Sequence, residues 1–314
     1  MNTEETKKLY DQYLMATYRP SVVISKAKGS RVYDASGKQY YDMTSGIGVH
    51  NVGHCTEGVV KAVQEQVAKL GHCSNLFINE PQALLAKKLV EISGLDGKVF
   101  FCNSGAEANE AAIKLARKWG AANGGRFEVV TMRNSFHGRT ITTLSATGQE
   151  HYHELFQPLT PGFVHGDAGD LEGICKLAKE EKAAAVLIEC VQGEGGVIPL
   201  EKGYVQLAEK LCRENDVLFM VDEVQTGNVR TGSLYADLYI CLPVAMVAGR
   251  VISGVVKALI LTPGLSIAAW ATASFVTALP GIAVQLILLP ISAKSKKSTM
   301  KMSRIQPKIQ KSQE

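Results

Sequence analysis

Four short motifs contain most of the side chains in this chain that could do chemistry together. Each motif follows an apolar run with the composition and length of a buried β-strand. The motifs are Ser104-Gly105-Ala106-Glu107-Ala108, Phe136-His137-Gly138-Arg139-Thr140, Gln192-Gly193-Glu194-Gly195-Gly196 and Asp222-Glu223-Val224-Gln225-Thr226-Gly227. In parallel sheets ligands bind beyond the carboxyl ends of the strands, so we expect the motifs to share one site.

The first two motifs offer groups that bind anions and rings. Small residues at 104–106 let a phosphate approach the first N–H groups of a helix and the positive end of its dipole. By itself this pattern is equally typical of a strand–helix turn capped by a serine. Phe136 could stack on a planar ligand and Arg139 could clamp a carboxylate. The alternative is a surface loop with a packed Phe136 and a solvated Arg139.

The other two motifs offer carboxylates. Glu194 lies between glycines, which suggests a tight loop that holds its carboxylate in a cleft. The glycines could also serve backbone geometry alone. Asp222 follows the apolar run 217–221 and could meet a positively charged nitrogen of a ligand. As a single residue it is equally typical of a solvated turn or a helix cap.

Apolar periodicity up to about residue 236 predicts an alternation of strands and helices. Such an alternation implies crossover connections and an α/β fold with a mainly parallel sheet. Gly120 is expected to end the third helix. The expected helices are 58–70, 79–94, 106–119, 171–181 and 203–214, and the expected strands are 99–102, 127–132, 185–189 and 217–221.

Together, in this order, the four motifs resemble those of the class III (fold type I) pyridoxal-phosphate aminotransferases, most closely the acetylornithine/ornithine type. The resemblance covers about residues 8–236. It implies a partial PLP-binding large domain over 51–236, with flanking helices on a mainly parallel sheet, after an N-terminal segment 1–50. Further agreement lies at 44–47, 53–55, 74–77, 144–149 and 230–232.

The resemblance implies pyridoxal 5'-phosphate (PLP) as cofactor and assigns residues to its two ends. Ser104, Gly105 and Ala106 are expected to bind the phosphate. Phe136 is expected to stack on the pyridine ring. Asp222 is expected to pair with the protonated ring nitrogen, which keeps the ring an electron sink.

The resemblance also implies the remaining contacts and the reaction. Val224 is expected on the other ring face, and Gln225 at the ring hydroxyl. Arg139 is expected to bind a substrate carboxylate, and Glu194 to help the site alternate between amino donor and acceptor. The family reaction, run by a homodimer, moves the terminal amino group of N-acetylornithine, or of an ornithine-like ω-amino donor, to 2-oxoglutarate in arginine biosynthesis.

One part of the family pattern is missing. In these enzymes the catalytic lysine, which bonds to the cofactor, lies on a strand end shortly after the acid of the fourth motif, before a glycine-rich turn. Here the pattern stops at about Ala236, and Lys257 is followed by an apolar run. Lys257 is therefore a weak candidate, more typical of a snorkelling lysine, and no catalytic residue is assigned. We expect a catalytically impaired chain.

The segment 237–293 is almost wholly apolar, with no charged residue between Lys257 and Lys294. This exceeds the roughly 20 residues of a membrane helix and favours membrane-type helices over a buried helix pair. Residues 239–290 are similar to substrate-binding membrane components of energy-coupling transporters, and the basic tail 294–314 is expected to be disordered. The alternative function is thus a non-catalytic PLP-binding fragment fused to a membrane or transporter fragment.

Composition limits the other possibilities. Seven scattered cysteines without a C-x-x-C pair indicate a reduced, cytoplasmic protein and no zinc framework, so no metal is expected. From residue 237 onward nine basic and two acidic residues give +7, which leaves −3 of the total charge of +4 for residues 1–236. This uneven charge is no basis for nucleic-acid binding. The N-terminus has no apolar run typical of a secretory signal.

Overall fold

A computed structural model describes residues 2–94, 96–180, 183–232 and 235–236 of the protein. The N-terminal part contains a helix, α1 (Thr3–Tyr13), and an antiparallel meander that the sequence did not predict. The meander consists of β1 (Ile24–Lys28), β2 (Arg31–Asp34) and β3 (Gln39–Tyr41). A single turn, α2 (Ser45–Gly48), follows, in which Gly46 and Ile47 are left-handed with φ of 62° and 59°.

Two amphipathic helices come next, and both were predicted within one residue at each end. They are α3 (Glu57–Lys69) and α4 (Glu80–Ser93). Asn79 caps α4 by accepting a hydrogen bond from the Gln82 N–H at 3.0 Å. The apolar face of α3 is not covered by the described residues: Val59, Val63 and Val67 are exposed to 51%, 60% and 64%.

The helix that carries the first motif is longer than the sequence indicated. Helix α5 (Gly105–Ala122) runs past Gly120, so the prediction that this glycine ends the helix was wrong. A Cβ at Gly120 would lie 2.2 Å from the Arg126 carbonyl oxygen, so the glycine permits close packing inside the helix. The predicted strand 99–102 was also wrong. No strand is present there among the described residues, within which this apolar run has no strand to pair with.

Alternating strands and helices complete the described chain. The elements are β4 (Glu128–Met132), α6 (Ile141–Ala146), a 3₁₀ turn (Glu150–Tyr152), β5 (Phe163–Gly166), α7 (Leu171–Glu180), β6 (Ala183–Glu189), β7 (Val191–Gln192), β8 (Ile198–Pro199), α8 (Lys202–Glu214) and β9 (Leu218–Asp222). The predicted strands and helices of this part are confirmed, whereas α6, β5, β7, β8 and the 3₁₀ turn were not predicted.

The core is a parallel sheet of strand order β5-β4-β6-β9 with helices on both faces. Every residue of β6 is buried, which explains why its sequence is apolar up to the final Glu189. Val186 and Ile188 pack in one core cluster with residues of α7 and α8, whereas Ala185 and Leu187 pack in a second cluster with residues of α5. In the β6–β9 ladder Glu189 pairs with Asp222, so two carboxylates lie side by side at the carboxyl edge of the sheet.

The proposed membrane-type segment 237–293 and the basic tail 294–314 lie outside the described residues. Within the part of the chain that the structure describes, none of the helices has the length and apolar character needed to cross a bilayer.

Candidate functional site

A cavity of about 1010 Å³ lies where the loops after β4, β6 and β9 meet the first turn of α5 and the segment 43–48. Eight of the nine predicted binding residues line it, and the ninth, Ser104, directly precedes α5. The structure therefore brings the four motifs together around one space. The eight are Gly105, Ala106, Phe136, Arg139, Glu194, Asp222, Val224 and Gln225.

The N-terminus of α5 forms one end of the cavity. Ser104 caps the helix, since its hydroxyl oxygen accepts the Glu107 N–H at 3.2 Å and its carbonyl accepts the Ala108 N–H at 3.0 Å. Among the described residues, the N–H groups of Gly105 and Ala106 have no acceptor. They lie at the positive end of the helix dipole and can bind an anion there.

Two glycines, which have no side chain, let the loop after β9 approach this helix and the loop after β6. A Cβ at Gly105 would lie 2.6 Å from Cγ2 of Val224, and a Cβ at Gly193 would lie 3.0 Å from Cγ of Gln225. Gln225 itself donates from Nε2 to the carbonyl oxygen of Ile47 at 3.3 Å. Its amide thus holds the N-terminal segment against the cavity.

Asp222 is the buried charge of the site, with only 7% of its surface exposed. Its Oδ1 accepts the Val224 N–H at 2.9 Å, and its Oδ2 accepts from Asn109 Nδ2 at 2.8 Å and lies 2.9 Å from His137 Nδ1. Burial acts to raise the pKa of Asp222. The hydrogen bond and charge of His137, with the other two donors, outweigh burial and lower that pKa. The cavity therefore contains a buried carboxylate that stays ionised.

The sequence analysis gave no role to the two side chains that hold Asp222. Asn109 and His137 are 5% and 2% exposed, and Asn109 Nδ2 also donates to the His137 carbonyl oxygen at 2.8 Å. Asn109 lies four residues after Gly105, which places both on one face of α5 and could have indicated a site residue. The Nε2 atom of His137 is buried and has no hydrogen-bond partner among the described residues.

Glu189 joins two of the motif loops and was noted in the sequence only as a strand end. Its Oε1 accepts the Phe136 N–H at 2.8 Å, and its Oε2 accepts the Gly193 N–H at 3.1 Å. Burial is the largest influence on its pKa and raises it, although both hydrogen bonds act in the opposite direction. The Glu189 carboxyl group therefore holds the backbone of Phe136 and the backbone of the third motif in place.

Aromatic rings and a guanidinium form the outer wall of the cavity. The Phe136 and Tyr152 rings meet in an edge-to-face arrangement, with 5.6 Å between their centroids and 65° between their planes. The Arg139 guanidinium lies 5.8 Å from the Phe136 centroid and 5.1 Å from the Tyr152 centroid. Among the described residues Arg139 makes these ring contacts but no hydrogen bond or ion pair, so its N–H groups are available to a carboxylate.

Glu194 is held by two side chains that the sequence analysis did not single out. Its Oε1 accepts the Tyr152 hydroxyl at 2.6 Å, and its Oε2 accepts from Gln149 Nε2 at 2.6 Å. The Tyr152 hydrogen bond is the largest influence on Glu194 and lowers its pKa, while the same bond raises the pKa of Tyr152. Gln149 ends one of the stretches that carried the resemblance, which was the available sequence signal.

These features suit one kind of ligand. The N-terminus of α5 suits a phosphate, Phe136 suits a planar ring, and the buried carboxylate suits a protonated ring nitrogen. Arg139 suits a substrate that bears a carboxylate. The residues present therefore fit pyridoxal phosphate on their own geometry.

The chain belongs to the class-III aminotransferases, since the model of that family matches residues 14–278. Pyridoxal phosphate, expected from the motifs, is accordingly its cofactor, and the aminotransferase fold predicted for the described part is confirmed. The match continues past Ala236, where the sequence analysis ended the family pattern, and it includes Lys257. Most of the segment likened to a transporter component thus aligns with aminotransferases, and that second resemblance is not supported.

The relatives agree with the family. An acetylornithine aminotransferase of Caldanaerobacter subterraneus subsp. tengcongensis is 45% identical over 247 residues, which cover 77% of this chain and 62% of the relative. One of Bacillus anthracis is 52% identical over 225 residues, covering 71% and 57%. The chain thus spans about three-fifths of the length of these curated relatives.

A solved structure shows the same fold. The ornithine aminotransferase of Toxoplasma gondii superposes with a TM-score of 0.70 at 37% identity, covering 74% of this chain and 56% of that one. That enzyme has PLP at partial occupancy in its active site.

Proposed function

We propose that this chain is a PLP-dependent aminotransferase that transfers the terminal amino group of N-acetylornithine, or of an ornithine-like donor, to 2-oxoglutarate in arginine biosynthesis. The observation that carries the proposal is the ionised, buried Asp222 in the same cavity as the unpartnered N–H groups of Gly105 and Ala106. The names of the relatives support the choice of donor.

Asp222 holds a proton on the cofactor's ring nitrogen, because its negative charge is maintained by His137 and Asn109 inside the protein. When bound, pyridoxal phosphate supplies an electron sink conjugated to the amino-bearing carbon of the substrate. Ser104 and the first N–H groups of α5 bind the phosphate, which fixes the ring relative to Asp222.

The remaining predicted residues orient the ring and the substrate. Phe136 and Val224 would pack against the ring and exclude water from it. Gln225, whose Nε2 donates to the Ile47 carbonyl in this structure, would supply a hydrogen bond to the ring hydroxyl. Arg139 would bind a substrate carboxylate, and Glu194 would help the site alternate between amino donor and acceptor.

Transamination also needs an amine that moves a proton at the substrate carbon. Between Asp222 and residue 278, where the family match ends, Lys257 is the only lysine. Lys257 lies outside the described residues, and the described lining of the cavity contains no lysine. Activity therefore depends on whether Lys257 serves as this amine. The borohydride and turnover experiment described below tests this role, and with it the catalytic impairment expected from the sequence.

The first experiment measures PLP binding by absorbance and fluorescence for the wild-type chain and for Asp222→Asn. We expect wild type to bind and the variant to lose about ten-fold or more in affinity, since a hydrogen bond to a charged group contributes about 1.5–3 kcal/mol. Equal affinities would contradict the cofactor assignment. Glu154→Gln, at an exposed carboxylate that does not line the cavity, is the matched control.

The second experiment separates an active enzyme from the alternative of a non-catalytic PLP binder. The PLP-loaded chain is reduced with borohydride and mapped by mass spectrometry, and turnover of N-acetylornithine with 2-oxoglutarate is assayed beside Lys257→Ala. Cofactor fixed to Lys257, with turnover that the variant loses, supports the enzyme. Tight PLP binding with neither adduct nor turnover supports the binder.

We also propose that the chain forms the homodimer expected from the family. The support is the uncovered apolar face of α3, where Val59, Val63 and Val67 are more than half exposed. Such a face is typical of surfaces that another chain covers. Light scattering should report a dimer for wild type and a monomer for Val63→Glu. A wild-type monomer at all concentrations would contradict this assembly.

A further inference from the structure

We infer that Tyr152 is a positioning residue for carboxylate recognition, which holds Glu194 away from Arg139 so that a substrate dicarboxylate can bind there. The inference deepens the proposed function and rests on its assignment of Arg139 to a substrate carboxylate. It gives a role to a side chain outside the four motifs.

Tyr152 contacts three predicted site residues at once. Its hydroxyl donates to Glu194 Oε1 at 2.6 Å, its ring lies 5.1 Å from the Arg139 guanidinium, and the same ring packs edge-to-face with Phe136. The position of Tyr152 is thus linked to a cation, an anion and the ring-stacking residue.

Tyr152 is itself held in place by its neighbours. It ends the 3₁₀ turn Glu150–Tyr152, its N–H donates to the Gln149 carbonyl at 3.1 Å, and its ring is 4.1 Å from the His151 ring. Gln149 is fixed in turn, because its Nε2 donates both to the Ser135 carbonyl at 3.2 Å and to Glu194 Oε2. The two donors to Glu194 therefore come from one anchored turn.

The charges explain why Glu194 has to be held. Arg139 and Glu194 line the same cavity and attract each other, and the charge of Arg139 acts to lower the pKa of Glu194. A Glu194 released from its donors would pair with the available N–H groups of Arg139. A substrate carboxylate would then have to displace it, which weakens substrate binding.

The test titrates the full chain with glutarate, a dicarboxylate that cannot react, by calorimetry with and without PLP. Tyr152→Phe removes only the hydroxyl and should lower the glutarate affinity about five-fold, as expected for one hydrogen bond. Tyr41→Phe is the matched control, because Tyr41 is exposed and lies 5.9 Å from the Arg31 guanidinium outside the site. The control should bind glutarate as wild type does.

A double variant distinguishes positioning from a general structural effect. In a Glu194→Gln background the Tyr152→Phe change should have little further effect on glutarate affinity, since the charge that competes for Arg139 is already gone. The same loss in both backgrounds, an unchanged affinity in Tyr152→Phe, or no glutarate binding to wild type would each overturn the inference. PLP affinity is measured in parallel. A chain that does not bind PLP would contradict the proposed function, whereas the glutarate titrations alone decide the role of Tyr152.

Discussion

The Nδ1 atom of His137 lies 2.9 Å from Oδ2 of Asp222, and both side chains are buried at the carboxyl edge of the sheet. His137 lies in the loop after β4, whereas Asp222 is the last residue of β9. Their contact offsets the cost of burying the Asp222 charge, which would otherwise raise its pKa. The charge that the site presents to a ligand is therefore a property of the pair.

Replacement of His137 by Phe should raise the pKa of Asp222 and lower the free energy of unfolding by about 1–3 kcal/mol at neutral pH. In the folded state the pKa of Asp222 is lowered from its ordinary 3.8, so its stabilising contribution is present above that value and is lost as pH falls through the lowered pKa. The difference between wild type and variant should thus shrink in acid. Urea unfolding at neutral and acidic pH measures it.

The conservative variant His137→Asn serves as the control for this prediction. An asparagine amide can donate from nearly the position of the histidine Nδ1 atom, so it should restore part of the stability and of the PLP affinity. An Asn variant as unstable as the Phe variant would show that ring packing, not the hydrogen bond to Asp222, is the main contribution of His137.

Glu189→Gln should change the pH dependence of stability in the opposite direction. The pKa of Glu189 is raised above its ordinary 4.5 by burial, so its contribution is present below that value and is lost as pH rises through the raised pKa. Glutamine does not titrate, and the variant should gain stability relative to wild type as pH rises. Denaturant titrations over this range test it, with Glu154→Gln, an exposed residue, expected to follow wild type.

Gly120→Ala should destabilise the protein by about 1–3 kcal/mol, even though alanine has the higher helix propensity. The added Cβ would lie 2.2 Å from the Arg126 carbonyl oxygen and 2.8 Å from Ala184 Cβ. Gly58→Ala, in α3, meets nothing within 4 Å and should be neutral or slightly stabilising. Thermal unfolding of both variants compares them, and equal melting temperatures would refute the packing argument.

Two cysteines should resist alkylation in the native protein. Burial raises the pKa of the Cys190 and Cys212 thiols to about 12, so almost no thiolate forms near neutral pH. Cys55 and Cys102 are exposed and should react first. Mass spectrometry after brief iodoacetamide treatment gives the order, with a urea-unfolded sample as control. Labelling of Cys190 as fast as Cys55 would contradict its buried position.

Much of this protein could be predicted from the sequence because the signals are local. Apolar periodicity located α3, α4, α7 and α8 within one residue or so at each end, and the motifs indicated both the family and the cofactor. Predictions from local patterns were wrong where contacts with another part of the chain determine the local structure. The run 99–102 has strand composition but no strand beside it in the part of the chain that the structure describes. Gly120 has the residue type of a helix end but permits close packing inside the helix.

Only the tertiary structure decided how the site residues are held. The contacts of Asp222 with Asn109 and His137, of Glu189 with Phe136, and of Glu194 with Tyr152 join residues that are 113, 85, 53 and 42 positions apart. Such pairs depend on the strand order β5-β4-β6-β9 and on the register that sets Glu189 beside Asp222. Residue types and spacing along the chain do not specify that register, because it is fixed by packing between elements distant in sequence.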